Sequence, residues 1–373
     1  MSRGSRDPLT VAVTGINADH GNPGPGLAVC RCLREAYGHD IRIIGLGYDA
    51  YDPGLYLPQY IDAGYLLSYP SSGEDALFAR LLTILETEKI QVLIPCLDSE
   101  ISSIIRLQPR LQTLGVQTYL PTIEQLRLRN KDRLSELADK AGIQYPKTLA
   151  LTDPKFFYQC GENGWPYPLV VKGAFYDAHV VTNADDGAAA FRRIAAQWGL
   201  PILVQNYVKG EEINLTAIGD GSGAMLGAVM MKKRAITAKG KAWAGIATFD
   251  QSLHDMAAAL IASLNWRGPL EIEVMRDKDN AYHLIEINPR FPSWVYLTHG
   301  VGRNLPAALL DLMLGKTLPV FPESNVGTMF IRYAEETIVP LSSYESVVID
   351  GNCRHFVKNN LAQTDLVKKG AKQ

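Results

Sequence analysis

The 373-residue sequence predicts a mixed α/β and α+β protein: an N-terminal Rossmann-like lobe, a small antiparallel lobe, and a C-terminal mixed α+β lobe. Three observations carry this. From Leu9 to about Thr118, short apolar runs alternate with amphipathic helical stretches, the rhythm of βαβ units and a parallel sheet. Beyond about residue 145 the rhythm becomes strand after strand, punctuated by hairpin turns. A hydrophobic fraction of 47% over this length supplies core for two or three packed lobes.

In the first lobe, LTVAVTGI, GLAVCRCLREAYG, DIRIIGLG, EDALFARLLTILETEK and QVLIPC read as strand, helix, strand, helix, strand. Gly38 stands where a left-handed residue closes a helix, and the strands after it are short and β-branched, as buried parallel strands are. A helix from about Lys131 to Ala141, ended by Gly142, leads through Pro146 into the second half. There PLVVK, ILVQNYV, EEINLTAIG and AMLGAVMMKKR read as strands of a small antiparallel lobe, with Asp220-Gly221 turning between the last two. A helix over about Gln251 to Leu264 precedes a further hairpin, PLEIEVMRD and AYHLIEIN, and the Lys-rich stretch after Asp350 has no period. The expected divisions are 1–120, a Rossmann-like domain; 121–145, a helical linker; 146–210, a small subdomain; 211–350, a larger one; and 351–373, a flexible tail.

A formal net charge of -2 gives no whole-chain positive field, so neither nucleic acid nor a membrane surface is an expected partner and a small molecule is. Cys30, Cys32, Cys96, Cys160 and Cys353 form no CxxC pair and no zinc-spaced cluster, which reads as reduced thiols. The N-terminus MSRGSRDPLT lacks an apolar core, and no uncharged run approaches the ~20 residues that span a bilayer. A soluble cytoplasmic protein is expected.

The sharpest chemical signal is Glu286-Ile-Asn288-Pro-Arg290, because a strand places alternate residues on one face. A carboxylate, an amide and a guanidinium would then project side by side. With the hairpin turn at Asp279-Asn280, Glu273 falls opposite Glu286 and Glu271 opposite Asn288. Facing glutamates repel unless a cation lies between them, and hard oxygen ligands suit magnesium. The plainer alternative is an exposed acidic face with Arg290 paired to one member. Lys172 closes the strand PLVVK where it could meet a phosphate, although a lysine ending a strand is commonly just solvated. The run Gln205-Asn206-Tyr207-Val208-Lys209-Gly210-Glu211-Glu212 is either an ordinary strand-turn-strand or a hinge able to read an adenine edge with a carboxylate beyond it for ribose.

Taken in order, Lys172, QNYVKGEE, Glu273 and EINPR resemble the ATP-grasp carboxylate-amine ligases, and look most like the carbamoyl-phosphate-synthase-large-subunit branch. TGINADHGNPGPG, Tyr48-Asp49-Ala50-Tyr51-Asp52 and Ile94-Pro95-Cys96-Leu97-Asp98 look like the pre-ATP-grasp lobe of that branch. The likeness covers about residues 9 to 335. It implies an ATP-grasp fold using ATP and Mg2+, with Mn2+ able to substitute. Lys131, Lys172 and Lys241 would contact phosphates, Gln205, Asn206, Tyr207 and Val208 would line the adenine pocket, and Glu212 would hold the ribose. Glu273, Glu286 and Asn288 would ligate the metal, and Arg290 with Lys172 would act on the transferring phosphoryl group. The implied reaction turns a carboxylate into an acyl phosphate that an amine attacks, releasing ADP and phosphate, on small-molecule substrates and in a possible homodimer.

One departure stands out: the loop Gly173-Ala174-Phe175-Tyr176-Asp177-Ala178-His179 holds a single glycine where many relatives have several. Either Tyr176 and His179 replace the missing amide contacts, or the segment Thr237 to Gly245 closes over the phosphates. Trp294 and Tyr296, with Gly302 to Pro306, are expected around the acceptor pocket or as plain core, and the Gly24-Pro25-Gly26 turn is expected to offer a helix N-terminus to an anion. Competing readings are a non-catalytic ATP- or metabolite-binding protein, a carboxylate kinase or ammonia-using synthetase, and an oxidoreductase, against which TGINADHGNPGPG is no GxGxxG.

Overall fold

In a computed structural model the described residues are 8–129, 133–173, 177–318 and 320–355. The N-terminal lobe runs β1 (Leu9–Thr14), α1 (Gly26–Tyr37), β2 (Ile41–Gly47), β3 (Ala63–Leu66), α2 (Glu74–Glu88), β4 (Val92–Ile94) and α3 (Asp98–Thr113). Its four strands are parallel, in the order β3-β2-β1-β4. β1 and β2 are almost wholly buried, which their unbroken apolar runs foretold. β3 went unmarked in the sequence because AGYL is short and half small residues. α1 starts hard against β1: a Cβ on Gly26 would lie 2.0 Å from the carbonyl oxygen of Thr14.

Strand order reverses direction between β1 and β4, and the crevice beyond their carboxyl ends is where parallel sheets place ligands. Here a side chain fills it from within. Glu100, completely buried, accepts hydrogen bonds from the hydroxyls of Thr14 and Tyr48 and from the backbone N–H groups of Cys96 and Leu97 (3.0 Å each). Asp98, two residues earlier at the start of α3, points outward to the next lobe.

Next come α4 (Ile123–Leu128) and α5 (Leu134–Ala141), the latter closed by Gly142 at φ 66. The stretch expected as a linker is more than that: Leu134, Leu137 and Ala138 of α5 belong to the core of the C-terminal lobe. An amphipathic helix of this kind buries its apolar stripe wherever a partner face is open.

The middle lobe comprises β5 (Thr148–Leu151), α6 (Phe156–Gln159), β6 (Leu169–Lys172), β7 (Ala178–Val181), α7 (Ala184–Trp198) and β8 (Ile202–Asn206). The sheet is antiparallel, ordered β5-β8-β6-β7. α6 and α7 cover one face around Phe157, Leu169, Val171, Phe191 and Val204, while Val170, Lys172, Leu203 and Gln205 alternate onto the other.

The C-terminal lobe contains β9 (Gly210–Asp220), β10 (Met225–Ile236), β11 (Ala242–Thr248), α8 (Gln251–Leu264), β12 (Arg267–Asp277), β13 (Tyr282–Asn288), α9 (Tyr296–Gly300), α10 (Leu305–Met313) and β14 (Met329–Ile331). Its six strands run in the order β13-β12-β9-β10-β11-β14. This corrects one expectation: EEINLTAIG and AMLGAVMMKKR do not join the small lobe. β9 pairs with β12 along its whole length, from Gly210 with Asp277 to Asp220 with Arg267. Local alternation cannot reveal a partner fifty residues away. α8 covers one face through Leu253, Leu260 and Ile261 packed on Leu215, Ile272 and Val274. The other face turns toward the N-terminal lobe, and the two lobes share core: Ile218, Phe291, Val295 and Leu309 pack with Val29 and Leu33 of α1.

The chain then returns to its beginning. After α11 (Leu341–Asp350), β15 (Asn352–Arg354) pairs antiparallel with β3, placing buried Cys353 in the first sheet. The first part of the expected flexible tail is therefore a sheet edge, because three residues suffice to pair with β3 once α11 brings them there. The remainder, 356–373, lies outside the described residues. No helix among them is long and apolar enough to cross a membrane.

Candidate active site on the six-stranded sheet

Alternation along β12 sends Leu270, Ile272 and Val274 into the core and Glu271 and Glu273 to the other face. β13 pairs as expected, Glu271 with Asn288 and Glu273 with Glu286. The turn differs from the expectation. Asp277 N donates to Ala281 O (3.0 Å), so 278–280 form a three-residue turn with Asn280 at φ 63. Nearer the turn the partners are Met275 with His283, and an irregularity after Glu273 shifts the register by one. A longer turn and a bulge cancel, and the carboxylates face one another as anticipated.

Glu271 organises the cluster. It is buried, and four donors bond it: Trp294 Nε1 (2.7 Å) and Asn214 Nδ2 (3.1 Å) to Oε1, Asn288 Nδ2 (3.2 Å) and Arg290 Nη1 (3.3 Å) to Oε2. Burial and the neighbouring Glu273 charge push its carboxyl above the usual glutamate range. Glu273, which accepts from Asn288 Nδ2 (3.0 Å), goes the other way. Burial opposes its ionisation, but Lys233, Lys241 and Arg290 together hold it below the ordinary value. The same strand therefore carries one carboxylate fixed by donors and another kept charged by cations.

Arg290 joins lobes. Its Nε donates to Asp98 Oδ2 (2.8 Å), and Arg129 Nη1 lies 3.0 Å from Asp98 Oδ1. The two guanidinium groups outweigh burial and lower the Asp98 carboxyl. On β9, Glu212 accepts from Lys233 Nζ, which also donates to Gly240 O (3.1 Å). Burial raises the Glu212 carboxyl and Glu273 adds to this, against the pull of Lys233. Lys241 acts electrostatically on Asp98, Glu212, Glu271 and Glu273 together. It stands at the β10–β11 turn, which docks on the N-terminal lobe: Thr237 Oγ1 donates to Gly21 O (3.1 Å), Lys239 is 3.6 Å from Asp19, and the rings of His20 and Trp243 are 4.6 Å apart.

The structure thus gathers Glu212, Lys241, Glu273, Glu286, Asn288 and Arg290 on one face. Lys172 and Gln205 form a second group on the four-stranded sheet, Lys172 Nζ donating to Gln205 Oε1 (2.7 Å) and Gln205 Nε2 to Thr148 Oγ1 (2.9 Å). Tyr207 and Val208 lie in the connection from β8 to β9, with Tyr207 exposed and Val208 half-buried. Asn206 precedes them, its Oδ1 buried without a hydrogen-bond partner among the described residues. Lys131 and Tyr176 lie outside the described residues.

Several expectations change. His179 pairs with Val171 and so shares the helix-covered side of its sheet, opposite Lys172, because one residue of register decides the face. Trp294 is no pocket wall: it is buried and its indole N–H orients Glu271. Tyr296 donates to Glu35 (2.9 Å) on α1. Arg303 is tied to the carbonyls of Ala228 and Pro322 (2.8 Å each), and Asn304 caps α10, so Gly302 to Pro306 serve packing. At the Gly24-Pro25-Gly26 turn, the amides of Gly24 and Gly26 already donate to Asn17 O (3.2 Å) and Gly15 O (2.8 Å), leaving neither for an anion. Sequence reading missed Asp98 as the partner of Arg290, Arg129 as the second cation on Asp98, and Lys233 and Asn214 beside the carboxylates. Of these only Lys233 had a usable signal, since MMKKR alternates and its partner strand was already marked. A cavity of about 460 Å³ between Thr10, Arg42, Glu88 and His355 lies at the opposite ends of the parallel strands and shares none of these residues.

The donor set fits a small hard cation. Among the described residues no three His, Cys, Asp or Glu side chains gather to hold a metal by themselves. Glu273 and Glu286 offer two facing carboxylates, and Asn288, its amide nitrogen spent on Glu271 and Glu273, keeps its carbonyl oxygen as acceptor. One or two carboxylates completed by substrate phosphates is how magnesium is usually held.

Comparison with known proteins bears on the fold and on the segment that holds this sheet. The family described as "ATP-grasp in the biosynthetic pathway with Ter operon" matches residues 200–335, the six-stranded sheet and its helices. The carbamoyl phosphate synthase large chain of Clostridium acetobutylicum is 24% identical over 259 residues, 64% of this chain and 23% of that one. The chain thus spans about a quarter of that relative's length. Similar folds include biotin carboxylase from Campylobacter jejuni (TM-score 0.66, 17% identity, 86% of this chain and 74% of that one). An N5-carboxyaminoimidazole synthase from Aspergillus clavatus gives 0.64 at 16% identity, covering 84% and 78%, and an L-amino acid ligase from Bacillus licheniformis gives 0.61 at 14%, covering 83% and 75%. Residues 200–335, which hold the acidic sheet, are thus similar to an ATP-grasp family, and most of the chain shares its fold with biotin carboxylase, N5-carboxyaminoimidazole synthase and an L-amino acid ligase.

Proposed function

We propose that this protein is an ATP- and Mg2+-dependent ligase that joins a carboxylate to an amine through an acyl phosphate and releases ADP and phosphate. The observation that carries the reading is the facing pair Glu273 and Glu286, flanked by Asn288 and Arg290 and overlooked by Lys233 and Lys241. An ionised carboxylate has no good leaving group, so its oxygen must first be converted to phosphate. Phosphoryl transfer asks a protein mainly for positioning and charge neutralisation. A metal on Glu273, Glu286 and Asn288 would neutralise phosphate charge, and Mn2+ suits the same oxygen set.

The chain's own groups divide the remaining tasks. Arg290, anchored by Asp98 and Glu271, keeps a fixed guanidinium beside the transferring group. Lys172 is held by Gln205 at the end of β6, where it can reach phosphate from the four-stranded lobe. The connection 207–209 is a hinge at which the buried, unpartnered Asn206 oxygen could accept from an adenine amino group, with Glu212 beyond for ribose. Two chain crossings, 143–147 and 207–209, join the lobe of β5–β8 to the larger sheet, which supports its assignment as a lid that excludes water from the acyl phosphate. The activated acid and the amine are assigned to the class of amino acids and small carboxylates.

The test is ADP and phosphate release with magnesium, ATP and pooled amino acids and small carboxylates, with Glu286→Ala as control. Turnover requiring an acid plus an amine, abolished in the variant, supports the ligase. ADP release with an acid alone makes the protein a carboxylate kinase, and ATP binding without turnover in any pool makes it a binding protein.

A further inference from the structure

The cavity at the amino-terminal ends of the parallel strands is large enough for a small metabolite: about 460 Å³, among the starts of β1 and β2, the end of α2 and the end of β15. Among the described residues that line it, Glu88 is the only acid, against Arg42, Lys89 and Arg354. Glu88 is already engaged. Its side chain is 4% exposed and accepts from Arg42 Nε (2.8 Å) and the Tyr65 hydroxyl, with Arg42 Nη2 at 2.8 Å and Arg354 Nε at 3.8 Å. Three cations against one carboxylate leave an excess of two positive charges, of which the carbonyl end of α2 offsets about half a charge.

The donors on this wall are only partly spent. Arg42 gives Nε and Nη2 to Glu88, and Arg354 gives Nε to the Tyr65 hydroxyl (3.3 Å). Among the described residues, Nη1 of Arg42 and both terminal nitrogens of Arg354 form no hydrogen bond. The two side chains are 33% and 49% exposed, so those nitrogens can meet a ligand without displacing protein. Glu88 thus sets two guanidinium forks side by side from β2 and β15, strands separated in the sheet by β3. Such forks match phosphate oxygens in two-point fashion. The rest of the wall is polar: Gln91 holds Thr10 N with Oε1 (2.8 Å), which leaves its Nε2, like the Thr87 hydroxyl, without a hydrogen bond among the described residues. These groups suit hydroxyls better than hydrocarbon. The segments that adjoin the cavity beyond Pro8 and His355 carry Arg3, Arg6, Lys358, Lys368, Lys369 and Lys372 against Asp7 and Asp365, so by charge they attract an anion rather than replace one.

We propose that this cavity is a second ligand site, for a small hydroxylated phosphate monoester, with Arg42 and Arg354 on the phosphate and Thr87 and Gln91 on the hydroxyls of its body. The bound phosphate would tie the returning strand β15 to β2 across β3. The site lies at the strand ends opposite Glu100 and shares no residue with the acidic sheet, so its ligand touches no reacting atom and acts as an effector. Its binding does not rest on the ligase reading.

The full chain would be titrated with ribose 5-phosphate and glycerol 3-phosphate at constant ionic strength, following thermal melting, with ribose, inorganic phosphate and sulfate as controls and Arg42→Gln and Arg354→Gln alongside. At least one ester should raise the melting temperature where the controls do not, and each variant should need about tenfold more of it, a loss of one guanidinium contact. ATP affinity, read by competition against a fluorescent nucleotide, should stay within about twofold with the ester present or absent. Arg354→Gln, half-exposed at the end of β15, keeps the test valid if Arg42→Gln, which strips buried Glu88 of its nearest cation, fails to fold. No shift with either ester, an equal shift in a folded variant, a shift that sulfate or inorganic phosphate reproduces, or displacement of the ester by ATP overturns the site. Arginine-dependent ester binding without ATP turnover would leave the site standing and sink the ligase; turnover without that binding would do the reverse.

Discussion

Two buried carboxylate centres, one in each large sheet, meet the same cost of burial by opposite means. Glu100 in the parallel lobe is satisfied by two hydroxyls and two backbone N–H groups, with no cation bonded to it among the described residues, and burial raises its carboxyl above the ordinary glutamate value. Glu273 in the antiparallel lobe is kept ionised by Lys233, Lys241 and Arg290. Fixed neutral donors close a centre, since nothing remains to exchange. Side-chain cations leave it open, because a lysine can give way to a metal ion or turn to a phosphate. The difference separates the plugged switch-point crevice of the first lobe from the second sheet, to which the proposed chemistry is assigned.

The largest expected effect follows directly. Glu273→Gln should lower ATP turnover by about 10²- to 10³-fold, the scale for losing one electrostatic group at a transition state, with little change in melting temperature. Glu100→Gln should do the opposite, costing stability while ATP affinity holds. Turnover retained in the first variant, or lost in a well-folded second, breaks the comparison. Arg290→Met comes next: it strips a cation from Asp98 and Glu271 at once, and urea unfolding should register a loss of about 3–5 kcal/mol, as for other broken buried pairs.

A pH experiment sharpens the same contrast. Burial opposes ionisation of Asp98, but Arg290 and Arg129 depress its carboxyl below the ordinary 3.8. Its contribution is therefore fully present above pH 3.8 and lost as pH falls through the depressed value. The deficit of Asp98→Asn in urea midpoint should be plain at pH 7 and shrink steadily below pH 3.8; a constant deficit would mean the aspartate acts by shape, not charge. Glu100 titrates the other way, and its raised carboxyl should make wild-type stability rise as pH falls toward 4.5. The smallest effect belongs to the docked β10–β11 turn, where Thr237→Ala removes one hydrogen bond to Gly21 and should cost about 0.5–1.5 kcal/mol.

Much of this was legible in the chain. The βαβ rhythm of the first lobe, the helix Gln251–Leu264 and the facing of Glu273 with Glu286 all follow from period and pairing within a few dozen residues. The hairpin pairing came out right although its assumed turn did not, since a three-residue turn and a bulge restore the register that a two-residue turn would give. What escaped was non-local. Nothing near Asp98 announces Arg290, nearly two hundred residues on, and nothing near Cys353 announces β3.

The division has a physical reason. Periodicity records which face of an element meets the core, and strand alternation records which side chains stand together, so the sequence by itself determined the element types, the carboxylate strand and the chemistry that strand suits. Burial, net field and partner depend on the sum of all neighbours in space. Only the tertiary structure could decide that Glu271 is a donor-bound scaffold while Glu273 remains charged, and that Trp294 orients a carboxylate rather than walling a pocket.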